Sequence, residues 1–183
     1  AGGEINVIVS GINVGAQSYW NAESTMLNHT RGLLIMTDNS AMLLTGKKAL
    51  DFSGGVSAED NIGIGGVEKI MGPNGEAQIW SKNITDAYRT LLNYYDFTYP
   101  VLDKIFPDNW RTKDPADRDV TLSKYNDTEH NFNTVGEIFD EKTNPGRKKP
   151  FSVREVMNAL IDKDLGYFER WNLMKNAETA IIW

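Results

Sequence analysis

The chain has 183 residues, a formal net charge of −6 at pH 7 and no cysteine. The acidic balance gives no electrostatic support for binding nucleic acid. The lack of cysteine excludes a disulfide framework, a thiolate nucleophile and a cysteine-based metal site. No apolar run approaches the 18 residues typical of a membrane-spanning helix.

The first predicted elements are a strand and a helix joined by small residues. Ile5–Ser10 is rich in β-branched residues, which predicts a strand, and Ala16–His29 lacks proline and glycine, which favours a helix. Backbone N–H groups at a helix start have no intrahelical partner, and the helix dipole favours negative charge there. Gly15 and Ala16 therefore lie where amides can bind an oxyanion, such as the enolate of a thioester. Alternatively, this corner only turns the chain.

Two more strands and a short helix follow. Leu33–Met36 and Ala41–Leu44 are continuous apolar runs separated by a Thr-Asp-Asn-Ser turn, and Lys47–Phe52 predicts the helix. Continuous apolar strands are typical of a sheet covered on both faces, so this order predicts an α/β fold. In the first helix, the side chains expected in the core are Trp20, Met26 and Leu27, whereas Tyr19 is expected to face the turn.

The chain between residues 53 and 75 is dense in glycine, which indicates either a backbone pressed close to something or a string of turns. One short helix is expected there, at Gly66–Met71. Asn83 is a plausible N-cap for a helix that reaches Tyr95. The apolar stripe of that helix is predicted at Ile84, Ala87, Tyr88, Leu91, Leu92 and Tyr95.

A long polar segment, Asp96–Thr134, comes next, and such loops are usually functional or spread over a neighbouring surface. A helix is then predicted to reach Lys163, with Ser152 and Glu155 as a capping box and Phe151 stapled onto Val156. Further predicted elements are a helix at Tyr167–Lys175 and a strand beginning at Ala180.

Side-chain catalytic motifs are scarce. The two histidines, His29 and His130, have no ligand-spaced partners, so no metal site is predicted, and His29 is interpreted as a capping or packing residue. No nucleotide-binding or nucleophile-elbow motif is complete. If this chain assists a reaction, backbone donors are the more plausible means.

Several segments together resemble the carboxyltransferase of biotin-dependent acyl-CoA carboxylases. They are G-I-N-V-G-A-Q-S-Y (11–19), L-L-I-M-T-D-N-S-A-M-L-L-T-G-K-K-A-L (33–50) and G-G-V-S-A-E-D-N-I-G-I-G-G (54–66). The end of the chain, with R-K-K-P-F-S-V-R-E-V-M-N-A-L-I-D (147–162) and Y-F-E-R-W (167–171), is similar to the segment that joins the two halves of that enzyme.

The resemblance implies a crotonase-like fold of ββα turns wound into a superhelix that is incomplete in this chain. It divides the chain into residues 1–95, the second half of the N-terminal subdomain, 96–150, a long loop or insert, and 151–183, a helical linker to the C-terminal subdomain. It also implies a cytoplasmic ligase of fatty acid metabolism that assembles as a homo-oligomer, with no membrane or nucleic-acid partner. Its expected partners are the remaining carboxyltransferase segments and the biotin carboxylase and biotin carrier domains.

The implied reaction moves CO2 from carboxybiotin, held on the carrier domain, to the α-carbon of an acyl-CoA. The catalytic amides implied are those of Gly15 and Ala16, and the α-proton leaves to biotin itself. The implied substrate-binding residues are Gly11, Tyr19, Thr45, Gly46, Gly65 and Gly66. Because the other half of such a site is absent, this chain alone is expected to be inactive.

Two alternatives remain open. Another crotonase-fold acyl-CoA enzyme, a hydratase or hydrolase, needs a carboxylate near the oxyanion site, and Glu23 is a poor candidate because it lies one or two turns into the helix. The chain can also be a non-catalytic assembly segment whose interface is the Asp96–Thr134 loop.

Overall fold

The computed structural model describes residues 4–26, 32–55, 57–98, 102–175 and 181–182. The strands are β1 (Val7–Val9), β2 (Ile12–Val14), β3 (Leu34–Thr37), β4 (Ala41–Leu43), β5 (Ile79–Ser81), β6 (Glu169–Arg170) and β7 (Ile181–Ile182). The α-helices are α1 (Ala16–Met26), α2 (Lys47–Phe52), α3 (Asn61–Gly65), α4 (Ile84–Thr98), α5 (Val135–Phe139) and α6 (Val153–Leu160). A π-helical turn occupies Val67–Met71, and 3₁₀ turns occupy Val120–Leu122 and Pro145–Arg147. Within the described ranges, no helix combines the length and apolarity needed to cross a membrane.

The chain divides into two compact units. The first contains Ala1–Phe97 and Glu169–Ile181, and the second contains Thr98–Phe168 and Ile182–Trp183. In the first unit, β1, β3 and β5 form a parallel sheet with β3 at its centre, and β2 pairs with β4 in a second parallel sheet. Every residue of β3 is buried, as expected for a parallel strand covered on both faces.

The first unit repeats one order of elements. Strands β1 and β2 are followed by helix α1, and strands β3 and β4 are followed by helix α2. In each repeat the chain leaves the three-stranded sheet and enters the two-stranded one. Gly11 makes the first of these transitions with φ +104°, a conformation that side chains other than glycine rarely adopt. The structure therefore contains two successive ββα units of parallel strands.

The core of the first unit lies beside the three-stranded sheet. Its buried members are Val9, Leu34, Met36, Met42, Val67 and Ala77. Arg170 is also fully buried, and its Nη2 donates to the Gly32 carbonyl at 2.7 Å and to the Gln78 side-chain oxygen at 2.9 Å. Burial lowers the pKa of the Arg170 guanidinium from its usual value. Strand β6 is thereby tied to the segment that precedes β5.

The second unit has its own core of Tyr125, Phe132 and Ile138, against which Phe151 and Val156 pack. The rings of Tyr125 and Phe132 meet edge to face at 5.8 Å. The Tyr125 hydroxyl accepts the Ser152 N–H at 2.7 Å and donates to Asp127 at 3.1 Å. The bond from the Ser152 N–H to Tyr125 connects the start of α6 to the segment before α5.

Several sequence predictions are confirmed. The predicted strands correspond to β1, β3, β4 and β7, and the short helix Lys47–Phe52 has the predicted bounds. Helix α1 begins at Ala16 as expected, whereas Leu27 and His29 lie outside the described residues, as does the Met26 side chain. Asn83 caps α4, since its side-chain oxygen accepts the Asp86 N–H at 3.0 Å.

Other predictions about side chains and caps are wrong. Trp20 is 71% exposed and is not in the core, and Tyr88 and Leu92 face solvent although Ala87 is buried. Ser152 occupies the N-cap position of α6, but its hydroxyl makes no capping hydrogen bond. Glu155 instead accepts the Asn126 N–H at 3.3 Å, so the predicted capping box does not form.

The predicted ends of several elements also change. Helix α6 ends at Leu160 rather than Lys163, and the predicted helix Tyr167–Lys175 is replaced by the short strand β6. The predicted helix at Gly66–Met71 is π-helical, and α3 precedes it. Strands β2 and β5 and helix α5 had no counterpart in the predicted elements.

Candidate functional site

The predicted corner at Gly15 lies at one edge of the small parallel sheet. Ile12 is in register with Ala41 and Val14 with Leu43, so β2 and β4 end side by side. Helix α1 starts after β2, and helix α2 starts shortly after β4. In α/β proteins, ligands bind in the crevice beyond the carboxyl ends of parallel strands. This edge is therefore the candidate site, and it brings Gly15 and Ala16 near Thr45 and Gly46.

The amide of Gly15 is not available to a ligand. It donates to the Leu43 carbonyl at 2.8 Å, which extends the pairing of β2 with β4 by one bond. Gly15 has φ +70°, and this positive angle turns the chain into α1. The prediction that the Gly15 amide is an oxyanion donor is therefore corrected, because its hydrogen is already bonded within the protein.

The amides of Ala16 and Gln17 differ from that of Gly15. These residues open α1 and are exposed, and within the described ranges neither N–H has an acceptor in the protein. The first turn of α1 contains no acidic residue that could compete for them. The helix dipole adds positive potential at this end. The arrangement offers two adjacent free donors to a negative oxygen, displaced by one residue from the predicted pair.

Ser18 holds the start of α1 against the two strands. Its buried Oγ accepts the Leu43 N–H at 3.0 Å and lies 3.1 Å from the carbonyl oxygens of both Asn13 and Leu43. The side chains of Asn13 and Asn21 add a second link at 2.8 Å. Donors fixed in this way need little reorganisation when charge develops. Sequence reasoning missed Ser18, although it is one turn before Ala22, which packs on the core.

The residues after β4 are partly committed to structure. Thr45 is exposed, and the Gly46 carbonyl accepts the Ala49 and Leu50 amides as the N-cap of α2. The Lys47 N–H donates to the Asn61 side chain at 2.8 Å, and the Lys47 ammonium binds Asp51 at 2.8 Å. The hydrogen bond from the Lys47 ammonium lowers the pKa of the Asp51 carboxyl. Thr45 therefore remains accessible at the strand end, while Gly46 starts a short helix.

Gly65 and Gly66 are buried and pack against β4. A Cβ atom on Gly65 would lie 2.2 Å from the Met42 carbonyl oxygen, and one on Gly66 would lie 2.4 Å from that of Ile62. Gly66 also forms an isolated bridge with Ala41. Their positions indicate that these glycines permit close packing of backbone, and a contact with substrate remains a prediction for both.

Of the other predicted residues, Gly11 lies at the far end of β2 from the helix start, whereas Tyr19 lies close to it in sequence. Gly11 is at the opposite end of β2 from Gly15, roughly 13 Å away at about 3.3 Å per residue, and its carbonyl accepts the Ala41 N–H at 3.2 Å. Tyr19 is exposed in the first turn of α1. Val14 and Leu44, which directly adjoin the corner in sequence, are exposed apolar side chains.

The segments that form the corner contain no general base. Residues 10–20 and 41–46 include no Asp, Glu or His. Among the residues that the structure describes, no three His, Asp or Glu side chains cluster in a way that could hold a metal ion. The chemistry available here is hydrogen bonding from backbone amides beside apolar side chains, which suits a polarised carbonyl oxygen on an apolar ligand.

No protein-family model matches this chain, and no curated protein matches it significantly. The fold is similar to that of transcarboxylase 12S in two solved structures. One, with hydrolysed methylmalonyl-coenzyme A bound, is 20% identical with a TM-score of 0.63, and the match covers 98% of this chain and 30% of that chain. The other, with methylmalonyl-coenzyme A and methylmalonic acid bound, is 21% identical with the same TM-score, and the match covers 98% of this chain and 29% of that chain. This chain therefore has an α/β fold similar to about a third of a transcarboxylase subunit.

Proposed function

We propose that this chain is the acyl-CoA side of a carboxyltransferase, in which the amides of Ala16 and Gln17 bind the thioester oxygen as it becomes an enolate. The observation that carries the proposal is that two exposed residues at the start of α1, Ala16 and Gln17, have amides with no acceptor in the described part of the chain. The neighbouring transcarboxylase structures, which hold methylmalonyl-coenzyme A, support the same class of substrate. The crotonase-like superhelix and the three predicted divisions of the chain belong to this proposal.

The described residues suit a thioester better than they suit biotin. Free amides match a carbonyl oxygen, and exposed Val14 and Leu44 match apolar parts of an acyl-CoA. We assign no residue of this chain to the biotin ring. When bound, carboxybiotin would supply the carboxyl group. The residues of this chain would lower the free energy of the enolate by donating hydrogen bonds to its oxygen.

The proposed site is completed by other parts of an assembly. This chain spans about 30% of the transcarboxylase chain that it resembles, and that protein is described as a hexameric multienzyme core. We therefore propose that the remaining carboxyltransferase segments, together with the biotin carboxylase and biotin carrier domains, act with this chain. Carboxyl transfer requires them, whereas the acyl-CoA thioester is oriented here.

The test replaces Ala16 with proline. Proline is favoured at the first helical position and lacks an N–H, so Ala16→Pro removes one donor while preserving α1. Carboxyl transfer, measured with the carrier and the remaining segments present, is expected to fall about 10²–10³-fold, mainly in kcat, because one oxyanion donor contributes that much.

The matched control is Ala16→Ser, which keeps the amide and should retain nearly full activity. Normal turnover by Ala16→Pro would remove the proposed role of this amide. Equal loss in both variants would assign the effect to the side chain rather than to the donor.

The hydratase or hydrolase alternative is less well supported. Such an enzyme needs a carboxylate near the oxyanion, and the corner segments contain none. The side chain of Glu23 lies outside the described residues. Biotin-independent hydration of an enoyl-CoA by the complete protein would favour this alternative over carboxyl transfer.

A further inference from the structure

The turn that precedes β5 contains the one Asn-Gly pair of the sequence, Asn74-Gly75. Asn74 is exposed, and Gly75 has φ +84° and no side chain to shield its amide. An asparagine side chain can react with the amide of the next residue, because that nitrogen and the side-chain carbon Cγ close a succinimide ring. Reacting groups held in one chain meet far more often than separate molecules do. This pair is therefore a candidate for chemical modification.

The Asn74 side chain is held in a form that favours this reaction. Its Oδ1 accepts the Glu76 N–H at 2.9 Å, as in an Asx turn. Negative charge develops on Oδ1 when a nitrogen attacks Cγ, and a backbone donor already aimed at that oxygen stabilises the charge. The leaving nitrogen, Nδ2, has only a weak contact among the described residues, with the Met71 sulfur at 4.0 Å. The turn thus supplies a donor for the developing charge and holds the leaving group loosely.

Three hydrogen bonds around the same turn oppose the reaction. The attacking Gly75 N–H is itself bonded to the Gly72 carbonyl at 3.0 Å. The Gly75 carbonyl accepts the Trp171 indole N–H at 2.9 Å, and the Pro73 carbonyl accepts the Lys175 N–H at 3.1 Å. The turn must open before the Gly75 nitrogen can reach the asparagine Cγ. These bonds therefore determine how often the reactive geometry forms.

The segment 171–175, which we call the clasp, also covers the turn with side chains. Leu173 packs against the core of the first unit, and a Cβ on Gly72 would lie 2.9 Å from it. A Cβ on Gly75 would lie 3.2 Å from the Met174 sulfur. The clasp is closely fitted to the turn, so a change in one should disturb the other.

We propose that Asn74 is a deamidation site whose rate is set by the clasp. In this reaction the Gly75 nitrogen gives up its proton and bonds to the Asn74 Cγ, while the bond from Cγ to Nδ2 breaks and Nδ2 leaves as ammonia. Water then opens the succinimide at either carbonyl, which gives aspartate or isoaspartate at position 74. Water is the only co-reactant. The proposal does not depend on carboxyl transfer.

The products should in turn weaken the clasp. Each adds a negative charge to the turn, and isoaspartate also lengthens the main chain there by a methylene group. Lengthening moves the Pro73 and Gly75 carbonyls away from the donors of Lys175 and Trp171. Modification of Asn74 is therefore expected to loosen the segment 171–175.

The first test follows Asn74 in the purified protein by tryptic peptide mapping. Trypsin releases residues 70–82, in which Asn74 is the only asparagine. During incubation at mildly alkaline pH this peptide should convert to two heavier products that separate by chromatography. Exposed Asn39, which precedes a serine, is the internal control and should convert about tenfold more slowly because the serine side chain hinders attack.

The same incubation in urea, where no turn protects the pair, should convert Asn74 faster still. A folded protein that keeps Asn74 intact while the unfolded chain converts fully would overturn the proposal. Conversion of Asn39 as fast as Asn74 would also overturn it.

The second test weakens the clasp. Trp171→Phe keeps an aromatic ring but removes the indole donor to Gly75, so Asn74 should convert about three- to tenfold faster, the effect of losing one hydrogen bond. The matched control is Trp80→Phe, which removes an indole donor to Asp38 instead and should leave the rate within about twofold. Circular dichroism confirms that each variant is folded. Equal rates in Trp171→Phe and the original protein would contradict control by the clasp.

A third measurement needs no variant. Hydrogen exchange of the original protein, recorded before and after conversion at Asn74, should show residues 171–175 exchanging about tenfold faster after conversion. Identical exchange in the two samples would contradict the coupling between the turn and the clasp.

Discussion

At the scale of single residues, the function of the corner depends on which backbone amides are free to donate a hydrogen bond to a ligand. The pattern Gly15-Ala16 predicted a helix start that could bind an oxyanion, and α1 does start there. The sequence could not show that the Gly15 amide bonds to Leu43, because that bond joins residues 28 positions apart. The free donors are therefore the amides of Ala16 and Gln17 rather than those of Gly15 and Ala16.

Ser18 is the residue that fixes these donors, and removing its hydroxyl should be costly. Ser18→Ala leaves the buried Leu43 N–H without that acceptor, and the free energy of unfolding is expected to fall by about 1–3 kcal/mol. Urea denaturation monitored by circular dichroism measures the change.

Ser53→Ala is the matched control. The Ser53 hydroxyl also donates to a carbonyl, that of Leu50, but it is exposed. Water replaces this bond, so the free energy of unfolding should change by less than about 0.5 kcal/mol. Equal losses in the two variants would argue against a positioning role for Ser18.

At the scale of elements, long apolar runs were predictable and short strands were not. Apolar composition alone predicts the buried strands at Leu33–Met36 and Ala41–Leu44. Strand β2 has only three residues, with Ile12 and Val14 exposed, so no long apolar run indicated it. Strand β6 pairs with β7, and its Arg170 bonds to Gln78, 92 residues away, whereas the local pattern at Tyr167–Lys175 favoured a helix. Tertiary contacts overrode local preference there.

The packing of α3 on β4 gives a second prediction. The Cβ added in Gly65→Ala meets the Met42 carbonyl oxygen at 2.2 Å, so backbone must move and the protein should lose about 1–3 kcal/mol or more of stability. In Gly55→Ala the nearest atom is 3.6 Å away, which is an ordinary contact, and stability should change little.

Urea denaturation of both variants distinguishes these outcomes. A Gly65→Ala protein as stable as Gly55→Ala would show that α3 does not press on β4 as described.

At the scale of the whole molecule, the second unit is expected to respond to acid. Each of four of its carboxylates has a pKa held below its usual value, chiefly by one hydrogen bond. The main donors are hydroxyl groups in two cases, Thr121 for Asp119 and Thr112 for Asp164. They are backbone N–H groups in the other two, Glu129 for Asp127 and Asn133 for Glu137.

A lowered folded-state pKa stabilises the protein above the unfolded-state pKa, and this contribution disappears as the pH falls through the folded value. The second unit should therefore lose stability as the pH falls below about 4, the ordinary range of these carboxyls. Pulsed hydrogen exchange after incubation at decreasing pH should show the segments around Asp127 and Glu137 opening. In Asp127→Asn the dependence on pH should be weaker, and an unchanged dependence would exclude this carboxylate as a contributor.

The extent of the chain also bears on which steps of the proposed reaction it can perform by itself. It aligns with about 30% of a transcarboxylase chain, and residues 10–20 and 41–46, which form the corner, include no Asp, Glu or His. In the proposed account, this chain polarises the thioester while other segments deliver the carboxyl group. Binding of an acyl-CoA should therefore be separable from turnover.

The most direct measurement is the infrared carbonyl stretch of an acyl-CoA labelled with ¹³C at the thioester, recorded bound and free. Hydrogen bonds from Ala16 and Gln17 should polarise the carbonyl and shift its stretch to lower frequency on binding. Part of that shift should disappear in Ala16→Pro, which leaves the Gln17 amide, and the whole shift should persist in Ala16→Ser. A bound thioester whose stretch matches that of the free ligand, or a shift that survives Ala16→Pro unchanged, would contradict the account.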